Sequence, residues 1–159
     1  MRAAVLTVSD GVSEGSRQDA SGDLLAELLS GEGFEVERRV VPDDQDAIAD
    51  AIAALAEEAQ LVLTTGGTGL GPRDVTPEAT SSVLERGAPG LAEAIRADSI
   101  AKTPHGLLSR GVAGIRDRTL IVNLPGSRGG CRDGFAVMQP ALRHAVELLA
   151  GEPTEHRQT

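Results

Sequence analysis

The stretch LVLTTGGTGLGPRDVTPEAT, residues 61–80, places Gly66, Gly67, Gly69 and Gly71 within six positions, directly ahead of Arg73 and Asp74. Glycines accept positive φ and let backbone N–H groups face a ligand at close range, which is what a phosphate cradle needs. The loop is of neither common nucleotide-binding kind. A Walker A loop ends in Gly-Lys-Ser/Thr, where this chain has Arg73-Asp74, and Pro72 stands where the dinucleotide fingerprint requires its third glycine. A tight strand-to-helix connection would also use glycine, but four of them with Thr65 and Thr68 exceed what a turn requires. Asp74 then sets the chemistry. A carboxylate beside a phosphate repels it unless a cation lies between them, and Mg²⁺ takes oxygen ligands from one or two carboxylates together with substrate phosphates.

Three other segments carry matching groups. SDG supplies Asp10, which could ligate or position an ion or serve as a polar loop residue. PDD supplies Asp43 and Asp44, either of which could instead cap the following helix. NLPGSRGG offers Gly126, the Ser127 hydroxyl and a helix start, with Arg128 either a direct charge for an anion or a solvated surface arginine. Arg132 reads as a solvated arginine. Cys131 has no His near it in sequence and is a poor nucleophile candidate. His105 and His144 lack metal-ligand spacing, and spacing alone does not carry Ser109-Arg110 to a site.

These groups need elements to hold them. AAVLTV (3–8), FEVERRVV (34–41) and LVLTT (61–65) read as strands. Helices are expected where Leu24, Leu25, Leu28 and Leu29 share a face, where Ile48, Ile52 and Leu55 recur from Asp46, and over 89–102. Thr76 with Pro77 reads as N-cap and N1 of a helix reaching about Arg86. GVAGI and TLIVNL flank RDR as an antiparallel hairpin of about five residues per arm. Phe135, Met138, Leu142, Val146 and Leu149 mark a last helix from about Gly130, with a kink expected at Pro140. Alternating strands and helices predict a three-layer αβα fold of the α/β class, with a mostly parallel sheet plus the small hairpin. One domain is expected over 1–150, with a polar tail over 151–159. The SDG, PDD, GGTGLGPRD and NLPGSRGG segments then meet at the carboxyl ends of strands, where open α/β sheets bind ligands.

Composition excludes other classes. The net charge of -9, from 24 acidic and 15 basic residues, disfavours nucleic acid and anionic membranes. Two Phe with no Tyr or Trp leave no base-stacking platform. Lys102 is the only lysine, so lysine-based phosphate chemistry has almost no candidate. One cysteine gives no disulfide framework or zinc cluster and fits a reducing cytoplasm. The N-terminus has no signal-like pattern, so a soluble, unprocessed, cytoplasmic protein is expected.

With these blocks in hand, the sequence resembles the molybdopterin adenylyltransferase family, the bacterial Mog and MoaB proteins and the gephyrin G domain. The likeness runs through TVSD (7–10), DASG (19–22), VPDD (41–44), LVLTTGGTGLGPRDVTPEAT, LSR (108–110) and LIVNLPGSRGG. It implies transfer of AMP from ATP, with Mg²⁺, to the terminal phosphate of molybdopterin, releasing pyrophosphate. A non-catalytic molybdopterin carrier or scaffold of the MoaB type is the alternative. The resemblance implies Asp43 and Asp74 as the metal-binding and catalytic pair. It implies that Gly66, Gly67, Thr68 and Gly69 bind nucleotide or pterin phosphate, and that Ser109, Pro125, Gly126 and Ser127 line the pterin side. Ser9, Asp10, Thr65 and Arg128 complete the expected substrate-binding set. A homotrimer is implied, with a molybdenum-insertion protein as a further partner. The chain departs from many relatives at Gly11, where they carry a larger or basic residue, and at Arg128-Gly129-Gly130, where they carry a lysine.

Overall fold

The first strand, β1 (Arg2–Val8), is buried from Ala3 onward whichever way its side chains point, as a strand covered by helices on two sides must be. The computed structural model describes residues 1–151; the expected tail lies, from residue 152 on, outside the described residues. After β1 come α1 (Asp10–Ser13), α2 (Ala20–Gly31), β2 (Glu35–Val41), α3 (Gln45–Ala56), β3 (Leu61–Thr65), α4 (Thr76–Val83) and β4 (Arg86–Gly87). Then follow α5 (Pro89–Lys102), a 3-10 turn (Pro104–Leu108), β5 (Ala113–Arg116), β6 (Thr119–Leu124) and α6 (Arg128–Ala150).

The strands form one six-stranded sheet in the order β2-β1-β3-β6-β5-β4. The first four are mutually parallel, and β5 and β4 extend the edge antiparallel. The expected three-layer architecture is therefore the one found. On one face Ala3, Val5, Leu61, Leu63, Val122 and Leu124 pack against α2, α5 and α6 through residues such as Leu25, Ile95 and Phe135. On the other, Ala4, Leu6, Val62 and Ile121 meet Ile48, Ile52 and Leu55 of α3 and Ala79 of α4. Because β1 leads outward to β2 and the chain then returns past β1 to β3, the direction of winding reverses between β1 and β3. The loops after those two strands frame the crevice where such folds bind ligands.

Local differences from the sequence reading have local causes. Residues 10–13 form a single helical turn, too short to show a periodic pattern. Thr76 is the first residue of α4 rather than its cap; its hydroxyl donates to the Gly66 carbonyl at 2.9 Å, tying the helix to the glycine loop. Helix α4 stops at Val83 because Arg86 and Gly87 pair with β5. The hairpin turns through Asp117-Arg118 alone, with Asp117 at φ 50, the left-handed backbone that two-residue hairpins require. Helix α6 begins at Arg128 and runs on through Pro140, which is exposed beside an exposed Ala136; water can satisfy the Ala136 carbonyl that proline cannot. Among the described residues no helix is long and apolar enough to cross a membrane.

Candidate active site

The glycine loop is built by close approach. Gly66 has φ 99 and Gly67 φ 69, and a Cβ on either would come within 2.2 Å of the Val8 carbonyl oxygen or the Thr76 hydroxyl oxygen respectively. Only glycine lets β3 end against β1 and α4 in this way. Gly69 and Gly71 lack positive φ. Their missing side chains instead make room for Asp74, whose Oδ2 lies 2.9 and 2.8 Å from the two would-be Cβ positions. That oxygen accepts the Gly71 N–H at 2.9 Å, and the Asp74 N–H donates to the Gly71 carbonyl at 3.0 Å. Arg110 fastens the loop from outside. Its backbone N–H donates to the Thr68 carbonyl at 2.9 Å, and its guanidinium to the carbonyls of Gly69 at 2.8 Å and Asp74 at 2.6 Å, while also pairing with Glu78.

The PDD segment divides its labour. Asp44 caps α3, accepting the Ala47 N–H at 2.9 Å, which leaves Asp43 for the site. Asp43 and Asp10 hold each other's backbone: Asp43 Oδ2 accepts the Asp10 N–H at 2.8 Å, and Asp10 Oδ1 accepts the Asp43 N–H at 3.0 Å. Arg73 grips both Asp10 oxygens, at 2.6 and 3.0 Å. Asp10, expected among the substrate contacts, thus has its carboxylate engaged by protein groups. Those bonds from Arg73, then the Asp43 N–H, lower the Asp10 pKa. Burial raises that of Asp43, and the negative charges of Asp10 and Asp74 add to the rise although the Asp10 N–H opposes it.

Asp43 and Asp74 line one cavity of about 580 Å³ together with Ser9, Thr65, Gly66, Gly67, Gly126, Ser127 and Arg128. A second cavity of about 430 Å³ is lined by Thr68, Gly69, Ser109, Pro125 and Ser127. The expected residues therefore fall into two neighbouring spaces joined at Ser127, and Asp10 borders neither. The larger cavity carries both charge signs. Arg17 and Arg128 line it together with the N-termini of α2 and α6, ends that favour anions. The two carboxylates come from the loops that lead into α3 and α4. Ser127 caps α6 by accepting the Gly130 N–H at 3.0 Å. Asp19 caps α2 and is offset by Arg38 at 2.6 Å and the Thr7 hydroxyl at 2.7 Å. Arg17 and Arg128 form no ion pair among the described residues.

Sequence reasoning missed Arg17, Asp19 and Ser21 in the larger cavity and Arg96, Lys102 and His105 in the smaller. Asp19 ahead of the leucine periodicity was a readable cap signal; Arg17 had none. Thr65 bonds the Pro125 carbonyl at 2.8 Å and lies 3.0 Å from the Ser21 hydroxyl, joining the end of β3 to the first turn of α2 and the loop before α6. Cys131 is buried beneath them, and burial pushes its thiol up to about 11, so it is protonated at neutral pH and poorly suited to attack.

Magnesium fits the donor set. Asp43 and Asp74 offer hard oxygen ligands, and the charge they share across the cavity is what a divalent cation relieves. Among the described residues no group of three or more His, Cys, Asp or Glu is arranged to hold a metal. Two carboxylates completed by substrate phosphates and water is the arrangement Mg²⁺ commonly takes.

Comparison with known proteins shows what the chain is similar to. A family model described as "Probable molybdopterin binding domain" matches residues 4–144. The molybdenum cofactor synthesis protein cinnamon of Drosophila melanogaster is 42% identical over 98% of this chain, which spans only 26% of that protein. The molybdopterin adenylyltransferase of Helicobacter pylori strain J99 is 40% identical, with 92% of this chain and 86% of that protein covered. Among solved structures, the molybdopterin biosynthesis enzyme MoaB of Thermus thermophilus has a TM-score of 0.89 at 48% identity, covering 96% of this chain and 98% of that one.

Proposed function

The chain belongs to this family of molybdopterin-binding domains, and from that premise we propose that it transfers AMP from ATP to the terminal phosphate of molybdopterin in molybdenum cofactor biosynthesis. The observation that carries the reading is the mixed charge of the larger cavity, whose lining combines Arg17, Arg128 and two helix N-termini with Asp43 and Asp74. Phosphate oxygens are accommodated among these groups. An oxygen of the molybdopterin phosphate attacks the α-phosphorus of ATP; the new P–O bond forms as the bridge to the β-phosphate breaks, and pyrophosphate leaves with the electron pair. A phosphate ester is already ionised at neutral pH, so no side-chain base or protein nucleophile is needed, and the work is positioning and charge neutralisation.

Asp43 and Asp74 would hold Mg²⁺, which when bound supplies neutralisation of the phosphate charge. Gly66 and Gly67 present backbone to the phosphates, and Ser127 stands at the junction of the two cavities. The smaller cavity, with Ser109 and Pro125, takes the pterin end. Arg110 keeps the glycine loop in shape. The same reading carries a homotrimer, which light scattering checks, and delivery to a molybdenum-insertion protein, which pulldown checks.

The test is pyrophosphate release with molybdopterin, ATP and Mg²⁺. The chain is expected to release it, and Asp74→Asn to lose about 10²-fold or more of the rate with its fold intact. Unchanged turnover in Asp74→Asn removes that residue from its role. Tight molybdopterin binding without any pyrophosphate points to a carrier instead.

A further inference from the structure

Arg17 reaches the larger cavity from a segment whose sequence reads only as a loop. The cause is a reversal onto Gly11. The Gly11 carbonyl accepts the N–H groups of Ser16 at 3.0 Å and Arg17 at 3.1 Å, and the Ser16 hydroxyl at 3.2 Å. Gly15, at φ 79, makes the turn. A Cβ on Gly11 would lie 3.2 Å from the Arg17 Cβ and 3.5 Å from its Cδ. The bare backbone of Gly11 is thus the surface along which the Arg17 stem runs. Arg17 lines the same cavity as Arg128, Gly66 and Gly67 and the carboxylates of Asp43 and Asp74.

We propose that Arg17 is a phosphoryl-binding residue of this cavity, sharing with Arg128 the phosphate oxygens bound beside the Asp43–Asp74 pair. This deepens the transfer reading above and rests on it. A guanidinium presents a planar fork of donors matched to phosphate oxygens, and Arg17 has no carboxylate to leave, among the described residues, before it can engage one. The shared chemistry is an anionic phosphoryl group, brought either by the nucleotide triphosphate or by the phosphate ester of the acceptor.

Calorimetry with magnesium present distinguishes the sources, with tripolyphosphate as probe for the first and inorganic phosphate for the second. Arg17→Ala is expected to bind one of them about tenfold more weakly, and the one affected names the source. Arg17→Lys recovers part of the loss. Arg143→Ala, which removes the same charge from the later part of α6, changes neither. Gly11→Val, which crowds the Arg17 stem, weakens binding of the same anion. In turnover the loss appears in the KM of the matching substrate more than in kcat. If Arg17→Ala binds both anions as the unaltered chain does, or loses no more than Arg143→Ala, the proposal is overturned while pyrophosphate release by the unaltered chain keeps the transfer reading. If the unaltered chain binds neither anion and releases no pyrophosphate, both are overturned.

Discussion

Asp43 and Asp44 are neighbours with separate duties, and substitution should separate them cleanly. Asp44→Ala removes the cap of α3 and is expected to cost about 1 kcal/mol of stability with activity kept. Asp43→Asn relieves like charge and is expected to hold or raise the melting temperature while transfer falls by about 10²-fold. Thermal melts beside the pyrophosphate assay check both. Asp43 must be ionised to hold a metal, and burial, then Asp10 and Asp74, raise its pKa. Magnesium affinity should therefore begin to fall, as pH drops, while still above the ordinary carboxylate value of 3.8; titration across the acid range reads this directly. Stability runs oppositely at the two acids. With its folded pKa raised, Asp43 contributes most at low pH, and that contribution is lost as pH rises through the folded pKa. With its pKa lowered by Arg73, Asp10 contributes above the ordinary value and loses it as pH falls.

At the scale of elements, the glycine loop keeps its shape through bonds from a residue far along the chain. Arg110 reaches the carbonyls of Thr68, Gly69 and Asp74, so the 3-10 turn that ends at Leu108 delivers the clamp for the loop after β3. Arg110→Met keeps the aliphatic stem and removes the guanidinium bonds. It should lower kcat/KM about tenfold, cost about 1–3 kcal/mol through the carbonyls left without donors, and speed amide exchange in residues 66–74. If exchange there is unchanged, the loop holds its own shape. The sequence already marks where β3 ends and glycines begin, because turn chemistry is written in adjacent residues. It does not mark Arg110, since nothing local says which loop a guanidinium will meet.

For the molecule as a whole, the two apolar layers on either side of the sheet are the scaffold that fixes the carboxyl edge. Leu25 is buried in one and Ile52 in the other. Alanine at either should cost about 3 kcal/mol, within the range of about 2–5 for such truncations, and the double variant should come within about 0.5 kcal/mol of the sum because the sites share no partners. Urea denaturation measures all three. The strands, the helices and the gathering of four loops on one edge were legible in the sequence, because a period of two or 3.6 residues and a glycine or proline stop are local properties. So was the pairing of a glycine loop with an acid in place of lysine. Tertiary structure alone decided that Asp43 and not Asp44 faces the cavity, that Asp10 is occupied in holding Asp43 and Arg73, and that Arg17 joins Arg128 in the cavity of the two carboxylates. Asp10 lies 33 positions from Asp43 and 63 from Arg73. Contacts at such separations depend on the path of the whole chain around the sheet, and no local pattern of residues records that path.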